Sequence, residues 1–224
     1  MATQCLSANN EKVREEKRVA EPKDEVAVEV EPKSGISFQV KLDDGKQLGC
    51  AGLRRKHALG MNLKIYGFGI YADSEKLKDL LKSKIGEAPP KPTEEMFQLV
   101  IDSDVGLVVR LVMIFPGLNM SMFKKNRDDR LVASIKKLDG DNKNEELADK
   151  VLGQASGSIK LPTGSGMEIF RLPGYIIQAK VLGEVVSQAE GELLCRAYVH
   201  MFLGDDPLDK DAKEKFGTYL LSLF

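Results

Sequence analysis

Alternating apolar and polar positions early in the chain predict a β-hairpin. In residues 36–42 every second residue is apolar, and residues 43–46 then read Asp-Asp-Gly-Lys. A period of two is typical of a strand with one buried face, and Asp and Gly supply the backbone geometry of a tight turn. The pattern therefore predicts that the chain reverses and that a second strand begins at Gln47.

Residues 61–72 show a similar alternation and predict a longer strand that is interrupted by two glycines. One face of this strand is expected to carry Tyr66, Phe68 and Ile70, and the other Leu63, Ile65 and Tyr71. A glycine weakens the interior of a strand, so it usually marks a bulge or the close approach of another group. We expect one of these two features here.

The remaining elements follow from helical periodicity, capping residues and long apolar runs. The predicted helices are residues 74–86, 93–102, 119–138, 145–154, 190–203 and 209–223, and the predicted strands are residues 105–115, 166–172 and 175–186. Strands and helices follow one another in blocks, without regular β-α-β alternation. This order favours the α+β class, with a mostly antiparallel sheet and helices packed on it.

Composition and charge exclude several classes of function. The chain has 224 residues, enough for one large domain, and its 42% hydrophobic and 30% charged residues are ordinary for a globular protein. With 33 Lys and Arg against 34 Asp and Glu, the net charge of -1 argues against nucleic acid as a partner. No apolar run approaches the ~20 residues of a membrane-spanning helix, so we expect no stable membrane insertion.

The cysteines and histidines offer little material for a metal site. The three cysteines, Cys5, Cys50 and Cys195, show no CxxC spacing, and His57 and His200 are the only histidines in the sequence. We interpret the cysteines as free thiols and expect no metal or other cofactor. No Ser-His-Asp or Cys-His set can be assembled, so no catalytic residue is predicted.

The first 33 residues differ in composition from the rest of the chain. They are rich in Glu, Lys, Val and Ala and have no apolar periodicity, so we expect residues 1–33 to be a disordered lead segment with fragments of strand at residues 26–30. The segment is too acidic for a transit peptide and lacks the apolar core of a signal peptide. Residues 34–224 are expected to form the folded domain.

Helical spacing predicts whether two residues near the end of the chain face solvent or the core. His200 follows Arg196 by one turn and Glu192 by two, which predicts a solvated surface histidine. Cys195 lies on the apolar side of the same helix, so packing in the core is the default interpretation of its thiol.

A basic cluster is the clearest candidate for chemistry. Residues 54–57 read Arg-Arg-Lys-His after small residues that we interpret as a turn, and Tyr66 follows on the next predicted strand. A guanidinium and a phenol can hold an anion against an apolar wall. The alternative, a rim of solvated cations on a hairpin, stays open on the pattern alone.

Three separated blocks resemble the chalcone–flavanone isomerase family. They are GCAGLRRKHALGMNLKIYGFGIYAD (residues 49–73), LVVRLVMIFPGLNMSMFKKNRDDRLVASIKKLDG (residues 107–140) and EGELLCRAYVHMFLGDDPLDKDAKEKF (residues 190–216). They occur in the family's order, and the resemblance covers residues 34–224. It implies the family's open-faced β-sandwich, a large antiparallel sheet with helices layered on it and the ligand cleft between them.

The resemblance also implies which residues of the cleft have changed. Arg54 falls on the family's cleft arginine, and Tyr66 falls where the isomerases have a threonine. A tyrosine on the following helix is replaced by Met122 or Phe123, and a serine or threonine of the last cleft helix by Cys195. The helix also lacks the asparagine of the isomerases, since Asp129 or Arg130 stands in its place.

This combination resembles the plant fatty-acid-binding branch of the family, which is non-catalytic and lies in the chloroplast stroma. The resemblance implies that Arg54 and Tyr66 hold a fatty-acid carboxylate and that Met122, Phe123 and Cys195 line the acyl chain. Two alternatives remain. One is a chalcone isomerase-type enzyme with an altered site, and the other is a non-catalytic auxiliary protein of flavonoid metabolism.

Overall fold

The structure is a computed structural model that describes residues 27–58, 60–125, 129–140 and 144–224. Its strands are β1 (Val28–Val30), β2 (Ser37–Gln39), β3 (Gln47–Ala58), β4 (Met61–Ala72), β5 (Leu107–Met113), β6 (Leu118–Asn119), β7 (Lys160–Leu161), β8 (Gly166–Leu172), β9 (Ile176–Val181) and β10 (Glu184–Glu190). Its helices are α1 (Ser74–Lys84), α2 (Glu94–Asp102), α3 (Met120–Lys125), α4 (Asp129–Asp139), α5 (Asn144–Asp149), α6 (Glu192–Leu203) and α7 (Lys210–Leu221).

A six-stranded sheet is the centre of the fold. Its strand order is β10-β9-β8-β5-β4-β3, and each neighbouring pair is antiparallel. Helix α6 contacts β9, α2 and α4, and α7 packs on β3, so a layer of helices covers one face of an open sheet. The α+β prediction and the open-faced architecture implied by the resemblance are confirmed.

The two glycines of β4 lie where a second layer meets the other face of the sheet. A Cβ added to Gly67 would lie 2.7 Å from Ile36 Cδ1, and one added to Gly69 would lie 2.8 Å from Phe38 Cδ1. Side chains cannot share that space, so the strand can be covered here only where it has no Cβ. The predicted close approach is confirmed, and the covering element is the β1–β2 ribbon.

A strand lies within the predicted lead segment, as expected for residues 26–30. Residues 27–33, assigned above to the lead segment, contain β1, which pairs with β2. Glu31 is buried, and its carboxylate accepts hydrogen bonds from the Ser34 backbone N–H at 2.7 Å and the Ser34 hydroxyl at 2.5 Å. A short strand and one paired carboxylate leave little apolar periodicity to detect. Residues 1–26 lie outside the described residues.

The small residues before the basic cluster form part of a strand and do not form the predicted turn. They lie within β3, where a Cβ added to Gly49 would lie 2.6 Å from the Phe216 ring and one added to Gly52 would lie 2.7 Å from Ala212 Cβ. Both neighbours belong to α7, which explains why residues without bulk stand here. The small residues allow a helix to pack closely against β3.

Several predicted bounds are corrected. The turn at residues 43–46 is present, with Leu42 N–H donating to Lys46 O at 2.9 Å. The predicted helix 119–138 is two helices, α3 and α4, and residues between them lie outside the described part. The predicted helix 145–154 is the shorter α5. The predicted strand 175–186 is a hairpin of β9 and β10, which turns at Leu182 (φ 52°) and Gly183 (φ 86°).

His200 is buried, so the prediction of a solvated histidine is wrong. Its Nδ1 lies 2.9 Å from the Ser134 hydroxyl of α4. Burial lowers the pKa of the imidazole, and the nearby Lys137 and Lys213 lower it further. Helical spacing alone misplaces this residue because α6 is enclosed by α2, α4 and the sheet, which leaves no free polar face for it.

Arg171 of β8 is a buried cation that the sequence does not indicate. It is 1% exposed, and its guanidinium donates to Val105 O and Val100 O at 2.9 Å each and to Ile101 O at 3.3 Å. These carbonyls include the last ones of α2, which have no partner within the helix. Burial lowers the pKa of Arg171 to about 10. The guanidinium thus caps α2 and ties it to the sheet.

We predict that Arg171→Met destabilises the fold by about 3 kcal/mol or more, because three buried carbonyls lose the guanidinium as a donor, of which Val100 O keeps a second one, the Ser103 hydroxyl at 3.0 Å. Arg196→Met is the matched control, because Arg196 joins Asp102 at 2.8 Å in a pair that is partly exposed. Such pairs contribute under about 1 kcal/mol. Urea unfolding followed by circular dichroism measures both, and equal midpoints would contradict the capping role.

Candidate functional site

A cavity of about 630 Å³ lies between the sheet and the helices α3 to α6. Its size is within the usual range of ligand pockets, roughly 300–1,000 Å³. Strands β3, β4, β5 and β8 form one wall, and the opposite wall comes from the helices. Its lining residues include Leu63, Ile65, Leu111, Phe115, Leu118, Leu131, Ala148, Val151, Leu152, Ile169 and Met201. The interior is therefore predominantly apolar.

Arg54 and Tyr66 are direct cross-strand neighbours at one side of this cavity. Residues opposite one another in an antiparallel pair project on the same side of the sheet. The Tyr66 side chain is buried, whereas Arg54 is partly exposed, and its guanidinium donates to Arg55 O at 2.9 Å. The pairing predicted from the sequence, a cation and a phenol that face the same apolar space, is present.

An irregularity in β4 shapes this wall. The register shifts between Arg54 and Arg55, and Ile65 has no partner on β3. The Ile65 carbonyl instead accepts the N–H groups of Ile114 at 2.9 Å and Phe115 at 3.1 Å. Such a bulge changes which side of the sheet the following side chains face, and Ile65, Tyr66 and Leu63 all line the cavity. The predicted separation of Ile65 and Leu63 from Tyr66 is therefore wrong.

Met122 and Phe123 both line the cavity from α3. The helix begins after Asn119, whose side-chain oxygen accepts the Met122 backbone N–H at 2.8 Å. The Phe123 ring lies 6.0 Å from the Tyr66 ring, with an angle of 38° between their planes. Asp129 and Arg130, the candidate replacements for the isomerase asparagine, lie on α4 and are not among the residues that line the cavity.

The cavity has a positive electrostatic character. Of its described lining residues, four are cationic, Arg54, Lys56, Lys124 and Lys125, and one is acidic, Asp149. The Lys124 ammonium donates to Gly153 O at 3.1 Å and to Ala155 O at 2.6 Å, so it anchors α3 to the segment after α5. An excess of cations at an apolar cavity favours a ligand that combines an anionic group with an apolar body.

Cys195 lies elsewhere than the resemblance implies. Its thiol is fully buried and does not belong to the lining of the cavity; Tyr198 and Met201 of the same helix do. Burial raises the pKa of the thiol to about 12, although the Arg171 guanidinium acts in the opposite direction. The thiol therefore stays protonated at neutral pH, and we leave Cys195 out of the candidate site.

Two residues that line the cavity were not among the predicted site residues. Lys56 follows Arg54 by two residues on the same strand, so the strand period could have indicated that it shares the cavity face. Tyr198 gave no comparable signal, because α6 is buried on nearly every side and its apolar pattern does not indicate which side meets a cavity. Because Tyr198 lines the cavity, α6 contributes a hydroxyl group to it, which the resemblance did not imply.

Among the residues that the structure describes, no helix is long and apolar enough to cross a membrane. Likewise, the described ranges contain no group of three or more His, Cys, Asp or Glu side chains that could hold a metal ion.

Comparison with known proteins identifies the family. The chain is 59% identical to chalcone isomerase-like protein 1 of Humulus lupulus over 200 residues, which cover 88% of this chain and 94% of the relative. The chain belongs to the chalcone isomerase family. It is also 29% identical to fatty-acid-binding protein 1 of Arabidopsis thaliana over 191 residues, 84% of this chain and 68% of that protein.

The family assignment extends to the three-dimensional structure. The crystal structure of an Arabidopsis thaliana fatty-acid-binding protein matches the fold with a TM-score of 0.81 at 28% identity, covering 88% of this chain and 98% of that one. No protein-family model matches the chain. The resemblance to the fatty-acid-binding branch of the chalcone isomerase family is thereby confirmed.

We predict that Met201→Trp fills part of the cavity and that Cys195→Ala leaves it unchanged. An indole at position 201 takes up cavity volume that a ligand would otherwise fill. Loss of about 1.4 kcal/mol of apolar contact would weaken binding of an anionic apolar dye such as anilinonaphthalene sulfonate about tenfold. Fluorescence titration of both folded variants provides the measurement. A loss of dye affinity in Cys195→Ala would return this thiol to the site.

Proposed function

We propose that the protein binds a fatty acid, with the carboxylate held by Arg54 and Tyr66 and the acyl chain in the apolar cavity. The observation that carries the proposal is the cross-strand pairing of Arg54 with Tyr66 at a cavity whose interior is apolar. A guanidinium binds a carboxylate through two charge-assisted hydrogen bonds, and a phenol adds a neutral donor. The names of the relatives and of the matching crystal structure support the same ligand class.

The acyl chain accounts for most of the proposed affinity. Each buried CH₂ contributes ~0.8 kcal/mol, so sixteen would give an upper bound on the order of 13 kcal/mol before ordering costs reduce it. Met122 and Phe123 of α3 would cover the chain from the helix side. Polar groups of the wall are concentrated in the basic side chains and two tyrosines, Tyr66 and Tyr198.

We further propose that the protein is not an enzyme. In the isomerases, as the resemblance implies, a tyrosine and an asparagine on the helix after the central strand complete the site. Here α3 offers Met122 and Phe123, neither of which can donate or accept a proton. Location in the chloroplast stroma is likewise a proposal, supplied by the resemblance, and imaging of the full chain fused to a fluorescent protein in plant cells would test it.

We predict that the protein does not accelerate chalcone cyclisation, because the groups that the isomerases place at the reacting atoms are missing from α3. Loss of chalcone absorbance is followed with excess folded protein, and with unfolded protein as the control for non-specific effects. Equal rates in both samples are expected. A saturable acceleration by the folded protein alone would make the altered isomerase the better description.

A second candidate function is that of a non-catalytic auxiliary protein that binds a chalcone-type polyphenol. It is favoured by the name of the relative with 59% identity and by four aromatic side chains of the cavity wall, Tyr66, Phe115, Phe123 and Tyr198. Competition separates the two candidates. Displacement of bound fatty acid by a chalcone at lower concentration than by another fatty acid would favour the auxiliary function.

We predict that Arg54→Ala lowers fatty-acid affinity more than Tyr66→Phe. Loss of the charge-assisted bonds costs roughly 3 kcal/mol if the carboxylate is desolvated, whereas loss of one neutral hydrogen bond costs about 1 kcal/mol. At ~1.4 kcal/mol per decade, the arginine variant should bind at least tenfold more weakly than the tyrosine variant.

The control ligand for this prediction is the methyl ester of the same fatty acid, which has no charge. Wild type and Arg54→Ala should bind the ester with similar affinity, since the apolar contacts are unchanged. Calorimetric titration gives both affinities, and circular dichroism confirms folding. Equal affinity for the free acid in all three proteins would mean that Arg54 belongs to a solvated rim and that no carboxylate is held there.

A further inference from the structure

The end of the β3–β4 hairpin extends past the cavity as an exposed arm. We define the hairpin arm as residues 55–58 and 61–64, which pair in register from Arg55 with Lys64 to Ala58 with Met61. The arm is more exposed than the base of the hairpin, and Met61 is 56% exposed. The arm therefore presents an apolar side chain to solvent among polar neighbours.

The two sides of the hairpin arm differ in their relation to the cavity. Lys56 and Leu63 are cross-strand partners, and both line the cavity. Met61 lies two residues beyond Leu63, so the strand period places it on the same side, farther from the core. The opposite side carries Arg55 and Lys64. The apolar wall of the cavity is thus continued outward along the hairpin to an exposed methionine.

The hairpin arm is also strongly basic. Residues 54–72 contain four Lys or Arg and no Asp or Glu, in a chain whose total charge is -1. The Lys64 ammonium donates to Lys33 O, a neutral acceptor, at 2.5 Å. The carboxylate of Asp211 interacts with Arg55, but it is paired directly with Lys33 at 2.6 Å. On the other side of the cavity, α3 adds Lys124 and Lys125 and the 39% exposed Met122.

We propose that the hairpin arm docks on an anionic lipid bilayer, so that the cavity opens toward the membrane surface and exchanges fatty acid with it. This inference rests on the proposed function. Basic side chains attract anionic headgroups, and an exposed apolar side chain among them can enter the headgroup region. An acidic protein partner would also meet the cations, but the exposed Met61 and Met122 favour a surface with an apolar interior.

A second exposed hairpin provides a comparison within the same molecule. The β9–β10 turn presents Leu182 at 71% and Val185 at 53% exposure, so its tip is at least as apolar as the hairpin arm. The charged residues near this tip are Glu184, which lies between Leu182 and Val185, and Lys180, the cross-strand partner of Val185. Their charges balance, so the tip has no excess of cations that would attract anionic headgroups. Charge complementarity therefore singles out the β3–β4 arm.

The chain has no tryptophan, which allows a direct test with a single fluorescent reporter. Met61→Trp in the full chain is mixed, without added fatty acid, with vesicles of phosphatidylcholine or of phosphatidylcholine with phosphatidylglycerol. A blue shift of the emission is expected with the anionic vesicles only, and high salt should reverse it. Leu182→Trp, the control on the hairpin without excess positive charge, should show no shift. Equal behaviour of the two reporters would overturn the proposal.

Charge reversal tests the same surface without altering the cavity. Arg55 and Lys64 are cross-strand partners that do not line it, so Arg55→Glu with Lys64→Glu should keep fatty-acid affinity in solution. Each cation near an anionic bilayer strengthens binding about fivefold, so vesicle partition should fall at least about 25-fold. Lys82→Glu with Lys84→Glu on α1 makes the same charge change elsewhere and should leave the partition near that of the unchanged chain.

The outcomes separate this inference from the proposed function. Loss of fatty-acid binding in vesicle-free solution would count against the function and not against the docking surface. Equal vesicle partition of the two double variants would overturn the docking surface and leave the function intact. If the unchanged chain does not bind anionic vesicles at low salt, the membrane assignment is wrong, and an acidic protein becomes the partner that the cations fit.

Discussion

The pairing of β3 with β4 is the interaction on which the rest of the structure depends. These two strands, of 12 residues each, meet two different surroundings along their length. Near the base, Gly49 and Gly52 allow α7 to pack closely, and in the middle Arg54 and Tyr66 face the cavity. A slip of one residue would turn every one of these side chains to the other face of the sheet. The register therefore fixes both the core and the candidate site.

The bulge at Ile65 explains how one hairpin can meet these demands. A regular strand would send Ile65 and Tyr66 to opposite faces, and only one of them could reach the cavity. Because of the bulge, both side chains line the cavity. The Ile65 carbonyl accepts hydrogen bonds from the N–H groups of the two residues that follow β5. The same hydrogen bonds fix Phe115, another lining residue. A local departure from regular pairing thus determines the shape of the ligand space.

The positions of the helices and of the β1–β2 ribbon depend on a few buried polar groups that are paired. Arg171 caps the carbonyls of α2, His200 meets Ser134 between α6 and α4, and Glu31 closes the turn after β1. An unpaired polar group at any of these places would cost about 1–3 kcal/mol, so each pairing holds its elements in one arrangement. Arg171 joins α2 to β8 and His200 joins α6 to α4, so these pairings help to hold the helical wall of the cavity in place on the sheet.

The parts of the fold that were predictable are those whose signals are local. Helix α2 was recognised from its cap Thr93 and its acidic first turn, and β5 from an apolar run with both faces covered. The β9–β10 turn was missed because Leu182 occupies a left-handed position where Asn, Asp or Gly is the usual signal. The orientation of α6 was missed for another reason. A helix buried on nearly every side has too narrow a polar face for its orientation to be inferred from the sequence.

The candidate site divides in the same way. Arg54 and Tyr66 could be recognised because a cation and a phenol near each other on adjoining strands are local in sequence, and the resemblance supplied their partnership. Lys124 and Tyr198 could not, because their positions depend on how α3 and α6 pack on the sheet. Cys195 was assigned to the cleft by correspondence with the family, yet Tyr198, about one turn farther along the same helix, is the residue that lines the cavity. Correspondence along a helix does not by itself give the direction in which a side chain points.

The cations of the cavity do not all serve the same purpose. One guanidinium is sufficient to bind one carboxylate, and Arg54 has the cross-strand position beside Tyr66 that this task requires. Lys124 is engaged by two backbone carbonyls, so its ammonium acts first as an anchor between α3 and the segment after α5. Lys56 and Lys125 also line the ligand space. In the proposed function, their field would attract anions from solution and raise the local concentration of the carboxylate before it reaches Arg54. A site with cations that attract an anionic group, one arginine that can bind it and an apolar wall for the remainder of the ligand is suited to a fatty acid.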